Sequence, residues 1–282
     1  MKLLIAVSTL LCAVLAFAVF TPRRESSPST TIAATLEPFN GKRSPVIVEL
    51  FTSEGCSSCP PADAVLAQLQ KDQPVAYAEI IALSEHVDYW NYIGWADPFS
   101  SAAFSARQES YAGAFGSERI YTPQMVVDGQ LEFVGNSLSK AREAITTASQ
   151  ASKADVRIEA RTDDVKDNRA IRLSVSVKGV PQISRGDVAE TILAVTEDDL
   201  SSNVSRGENT GRRLAHTAVV REMRALGKVD GATGSFAGET TMMIADGWKR
   251  DDLRVVVFVQ ERAHRRVLGA ASIKLGKAGN RA

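Results

Sequence analysis

The feature that most constrains this chain is a pair of cysteines three residues apart, set where a strand gives way to a helix. Val46-Ile47-Val48-Glu49-Leu50-Phe51 is an apolar, β-branched run that reads as a buried strand. Thr52 to Ser58 is rich in turn formers and carries Cys56. Cys59 follows, and Pro60 to Gln70 then places Ala64, Val65, Leu66 and Leu69 at helical spacing. Pro60 and Pro61 fit a first helical turn, where a missing N–H leaves no bond unmade.

The pattern continues in order. Val75 to Leu83 reads as a second buried strand, and Ser84 to Asp97 as an aromatic-rich connector. Pro98 to Phe115 reads as a helix. Gln124 to Val127 is a strand, Asp128-Gly129 a tight turn and Leu131 to Val134 the returning strand. Ser137 caps a last amphipathic helix reaching about Ala148. Strand, helix, strand, helix, strand, strand, helix predicts a mixed sheet with helices on both faces over residues 43–150. Beyond a short linker, seven strand-like segments between Val156 and Ile273 predict an antiparallel β-sandwich-like domain over 155–275.

The N-terminus points to a compartment. Lys2 followed by an apolar run to Phe20 resembles a secretory signal, with Ala16-Phe17-Ala18 as a small-x-small cleavage site. The expected organisation is a signal peptide or uncleaved anchor at 1–20 and a flexible linker at 21–42. The protein is then periplasmic or secreted, with membrane contact only if the first segment stays. Cys12 lies in that segment, which leaves Cys56 and Cys59 as the cysteines of the folded part. With 33 basic and 33 acidic residues and no concentrated basic patch, nucleic acid is not expected as a partner.

The run Val46 to Phe51, the Cys56-Ser57-Ser58-Cys59 motif and Thr122-Pro123 opening the Asp128-Gly129 hairpin together resemble the thioredoxin superfamily. The stretches Phe51 to Asp63 and His86-Val87-Asp88-Tyr89-Trp90 are similar to a family of secreted bacterial thioredoxin-like proteins of unassigned function. The resemblance implies that Pro123 is a cis-proline beside the pair. It also implies that Cys56 is an exposed nucleophile and Cys59 the resolving thiol, as the unpaired N–H groups of a helix start, which favour a thiolate, also suggest. Ser57-Ser58 stands where thioredoxin has Gly-Pro, and the charge of Glu54 should oppose thiolate formation.

The fold expected is therefore a thioredoxin-like α/β domain followed by an all-β antiparallel sandwich. The function expected is thiol–disulfide exchange with protein thiols or disulfides outside the cytoplasm, supported by a redox partner protein and needing no cofactor. Thr122, His86, Asp88 and Trp90 are expected to shape a substrate groove. His86 and Asp88 can alternatively do no more than bond the connector, and the aromatic cluster can simply pin that loop. His216, His264 and Trp248 read as structural. A metal site, drawing on His86, Asp88, His216 or His264, is disfavoured because the presumed cis-proline would exclude the ion. The other open reading is a non-catalytic binding or envelope-assembly module with a structural disulfide.

Overall fold

A computed structural model describes residues 43–162 and 169–276. The segments assigned from sequence to a signal peptide and linker, 1–20 and 21–42, lie outside the described residues. The first half runs β1 (Ser44–Thr52), α1 (Pro60–Asp72), β2 (Ala78–His86), α2 (Ala102–Phe115), β3 (Gln124–Val127), β4 (Leu131–Val134) and α3 (Leu138–Ala148). The second runs β5 (Asp155–Thr162), β6 (Ala170–Lys178), β7 (Ala189–Glu197), β8 (Leu200–Asn203), β9 (Arg213–His216), β10 (Val219–Lys228), β11 (Phe236–Met243), β12 (Leu253–Glu261) and β13 (Val267–Lys274).

The expectation of an α/β domain followed by a separate sandwich is overturned by the sheet topology. Strands from both halves share one mixed sheet of eight, in the order β13-β12-β7-β10-β2-β1-β3-β4. The junction lies at β2 and β10, which run parallel with Val219 opposite Ser84, and Ser84 N–H donates to Ala218 O at 2.8 Å. Strands β11, β6 and β5 form a second sheet of three, and β8 with β9 a two-stranded hairpin. The described residues accordingly cluster as one compact unit.

Alternation along each strand explains how the layers assemble. Val46, Val48 and Leu50 face α1 and α3, meeting Leu66, Leu69 and Ile145. At the other end of the sheet, Leu193, Val195, Val255 and Val257 meet Leu173, Val175 and Val177 of β6. The three-stranded sheet thus packs on strands that continue the first half, so no self-contained sandwich exists. The opposite face carries α2 and a core drawn from both halves: Ile47, Leu83 and Phe104 with Ala194, Val220, Val256 and Phe258. Each of these side chains larger than alanine, once buried, contributes about 1.5–3 kcal/mol, and here the contribution depends on both halves being present.

The sheet also curls until its ends meet. Val267 N–H donates to Asp128 O at 3.0 Å, and Lys153 Nζ bridges Asp128 Oδ2 and Val267 O at 2.6 and 2.8 Å. Asp128 and Gly129 both take positive φ in the β3–β4 turn, which lets that tight turn lie against the β12–β13 turn.

Candidate functional site

The cysteine pair sits where β1 hands over to α1. Phe51 and Thr52 are fully buried at the end of β1, and residues 53–59 form a turn closed by Cys56 N–H to Ser53 O (3.1 Å) and Cys59 N–H to Cys56 O (3.2 Å). Cys56 and Cys59 are joined as a disulfide with Cα atoms 5.4 Å apart. Cys59 immediately precedes α1, and its carbonyl accepts from Ala62 and Asp63 at 2.8 and 3.1 Å. Pro60 and Pro61 occupy the first turn, where no N–H is needed.

Burial departs from the expectation of an exposed Cys56. Ser57 and Ser58 are exposed, yet Cys56 is only 1% exposed and Cys59 is 0%. The loop joining β8 to β9 is bonded to the backbone of this turn. Asn209, itself buried, donates through Nδ2 to Glu54 O at 2.8 Å and to Cys56 O at 3.0 Å. Glu208 Oε2 accepts from Ser57 N–H at 3.0 Å. A Cβ on Gly207 would lie 3.5 Å from that of Trp95, so the loop packs closely on the aromatic connector.

Beneath the loop lies a buried polar cluster. The Glu54 carboxylate is held by His216 Nε2 at 2.8 Å, by the Trp95 indole N–H at 2.8 Å and by the Ser202 hydroxyl. Its charge therefore has three dedicated partners, which changes the expectation that it would simply oppose a nearby thiolate. Glu54 N–H donates to Asp97 Oδ2 at 2.8 Å, and the same oxygen pairs with His86 Nδ1 at 2.7 Å. Burial works against both members of the His86–Asp97 pair. Their mutual attraction outweighs it, raising the His86 pKa and lowering that of Asp97, the latter helped by N–H groups of Glu54 and Phe99. Burial raises the Asp63 carboxyl, against the pull of His216 and His86. The two imidazoles stack edge to face at 4.8 Å, and His86 Nε2 and His216 Nδ1 have no hydrogen-bond partner.

The four residues assigned to a groove separate here. Trp90 and Thr122 come together, with Trp90 Nε1 donating to Thr122 Oγ1 at 2.7 Å. Trp90 also touches the cysteine loop, since a Cβ on Gly55 would lie 3.0 Å from its own. The Thr122–Pro123 bond is cis, and Gln124, the next residue, pairs with Phe51 of β1, so Pro123 stands at the sheet end that carries the cysteines. His86 is fully buried and is tied to the cysteine loop at Glu54, through Asp97 and through His216, so it lines no groove. Asp88 faces α2, accepting from the Ser105 hydroxyl at 2.5 Å.

Sequence reasoning missed Asn209, Glu208 and the role of His216. Gly207 and Gly211, both at positive φ, mark a tight loop, but nothing local says where that loop lands. Among the described residues, one group of metal-ligand type converges: Asp187, Glu261 and His264. Its carboxylates already accept from Ala263 and His264 N–H groups and from Ser184 and Arg266. The cysteines do not gather with His86, Asp88, His216 or His264 in this way.

Residues 47–260 match the family described as protein of unknown function (DUF1223). The chain belongs to that family. The matched span takes in both the cysteine pair of this DUF1223 chain and the loop that covers it. Among solved structures, the chain is similar to protein AGR_C_4864 from Agrobacterium tumefaciens at 21% identity and a TM-score of 0.62, covering 86% of this chain and 99% of that one. That likeness speaks to the fold alone. A domain of the outer membrane lipoprotein Omp28 from Porphyromonas gingivalis aligns at 16% identity and a TM-score of 0.28, over 44% of this chain and 89% of that one. No curated protein matches the sequence.

Proposed function

We propose that this protein is a thiol–disulfide oxidoreductase acting on proteins outside the cytoplasm through Cys56 and Cys59. The observation that carries the reading is the disulfide itself, closed across two residues immediately before α1, where the positive end of the helix dipole favours a thiolate. Trp90 and Thr122 beside it offer an aromatic surface and a chain segment against which a partner can lie. The sequence resemblance to thioredoxin-like oxidoreductases supports the same roles for Cys56, Cys59 and Pro123.

In the reducing direction the Cys56 thiolate attacks a substrate disulfide. A Cys56–substrate bond forms, and the displaced substrate sulfur leaves as a thiolate and takes a proton. Cys59, losing its proton, then attacks Cys56 Sγ. The internal disulfide closes and the second substrate thiol is released. Two electrons pass from the dithiol to the substrate, and a redox partner protein restores them. The oxidising direction reverses each step. Because Cys56 is buried, each exchange requires its surroundings to open, and the β8–β9 loop bonded to its carbonyl is the segment to which we assign that opening.

The test is trapping in a bacterial envelope, read on non-reducing gels. Cys59→Ser should accumulate reducible mixed disulfides through Cys56, and Cys56→Ser far fewer. Equal trapping by both would contradict the assigned roles, and no complexes with either would remove the oxidoreductase reading. The burial of Cys56 favours a second reading, a structural disulfide in a binding or envelope-assembly module. A pair that stays oxidised in glutathione buffers of all ratios would support it.

A further inference from the structure

We propose that the cleft between α2 and β10 is a binding site for a small organic anion, an oxyanion headgroup carried on a flat apolar body. The cleft has a volume of about 670 Å³, ordinary for a small-molecule site. Its apolar wall is formed by Phe99, Phe104, Ile192, Val220, Met223 and Trp248, which suits a flat hydrophobic body.

Charge decides what the body carries. Four arginines and two glutamates line the cleft: Arg107, Arg221, Arg224 and Arg265 with Glu190 and Glu222. Several of these are already committed. Arg107 is bound to Glu49 at 2.6 Å and to Tyr111 and Gln260. Arg224 pairs with Glu222 at 2.7 Å and reaches Thr240. Glu190 is paired with Arg262.

Two cations are left with unspent donors. The Arg221 guanidinium lies over the faces of Phe99 and Trp248, at 5.6 and 5.4 Å, and its Nε is ion-paired with Glu197 Oε2 at 3.5 Å, which leaves its Nη groups for a ligand. Arg265 lies over the Tyr111 ring at 4.8 Å, and its buried Nε has no hydrogen-bond partner. That nitrogen is closed off from solvent, so an oxyanion in the cleft would meet Arg265 at the Nη edge of its guanidinium. An aromatic platform that holds a guanidinium flat leaves its edge free for bidentate pairing with a carboxylate or sulfonate.

The site is independent of the cysteine chemistry, so its test needs no redox readout. Two probes share one ring system: 1-anilinonaphthalene-8-sulfonate and its uncharged parent N-phenyl-1-naphthylamine. Fluorescence titration of the full chain should find the sulfonate bound about ten-fold more tightly than the parent, the range expected of a charge-assisted pair. Arg221→Gln and Arg265→Gln should each weaken the sulfonate about five-fold and leave the parent unchanged. Ala106→Trp, on the exposed side of α2 at the cleft, should weaken both. Thermal melts confirm that each variant is folded, and either arginine variant alone suffices. Equal affinity for the two probes would overturn the proposal. So would sulfonate binding unchanged in a folded arginine variant, or both probes unaffected by Ala106→Trp.

Discussion

The side-chain amide of Asn209 spans the backbone around Cys56, donating to the carbonyl of Cys56 at 3.0 Å and to that of Glu54 at 2.8 Å. One residue of the second half thereby fastens the cover over a disulfide of the first.

Asn209→Ala should loosen that cover. Two buried carbonyls lose their donor, which costs about 1–3 kcal/mol. The rate at which dithiothreitol reduces Cys56–Cys59 should rise about ten-fold, because reduction waits on loop opening. A stopped-flow comparison with the native chain measures this. An unchanged rate would mean the loop does not control access.

Arg107 holds two buried carboxyls in place. Burial opposes the charge on Glu49, but Arg107 prevails and keeps its pKa below the ordinary value, while burial and the charge of Glu49 push Glu85 well above it. Arg107→Met removes the counter-charge and should cost about 3–5 kcal/mol near neutral pH. In the variant both carboxyls would have folded-state pKa values above their unfolded ones. The folded variant then binds extra protons, and its deficit should shrink as pH falls from about 7 to 5. Urea melts of the two proteins across that range measure the gap, and a constant gap would refute the assignment.

Gly129 shows how closely the two ends of the sheet approach. A Cβ there would sit 1.8 Å from Arg265 O, and the residue has φ +70°. Gly129→Ala should therefore destabilise by about 3 kcal/mol or more, combining overpacking with an unfavourable backbone conformation. Chemical denaturation provides the measure, and a loss under about 1 kcal/mol would show that the turns can separate cheaply.

Asp128 gives the junction a pH signature. Burial raises its pKa to about 6, despite Lys153 and the Ile47 N–H. The folded value lies above the unfolded one, so the folded state holds the proton longer and stability falls as pH rises from about 4 to 6. Asp128→Asn keeps an oxygen for Ile47 and deletes the titration. The stability of the native chain relative to this variant should decline with pH across that window, by at most about 1.4 kcal/mol per unit. A flat difference would contradict the shift.

What was legible in the sequence was local. Val46 to Phe51, the prolines opening α1 and the Asp128-Gly129 turn each announce their element through period, backbone geometry or a missing donor. The partner of β2 was not legible. Ser84 to Val219 is a single long-range pairing, and neither segment carries a mark of the other. The β8–β9 hairpin escaped for a different reason. Leu200-Ser201-Ser202-Asn203 offers too little apolar alternation to read as a strand, and the single strand read at Ala215 to Arg221 merges the end of β9 with the start of β10, since Ser202 and His216 are spent on bonding a buried Glu54. His216 therefore read as a structural residue of a sandwich, and Cys56 as exposed.

The cover on Cys56 is encoded 153 residues after it. A ribosome adding about 5–20 residues per second reaches Asn209 roughly 8–30 s after it has passed the cysteines. For that interval the pair exists in a chain that cannot yet shield it, so a nascent chain halted before residue 200 should react with a thiol probe faster than the finished protein does once its disulfide has been reduced. Synthesis order thus divides the life of this disulfide into an open apprenticeship, when any oxidant can set it, and a guarded maturity, when entry is by way of the loop.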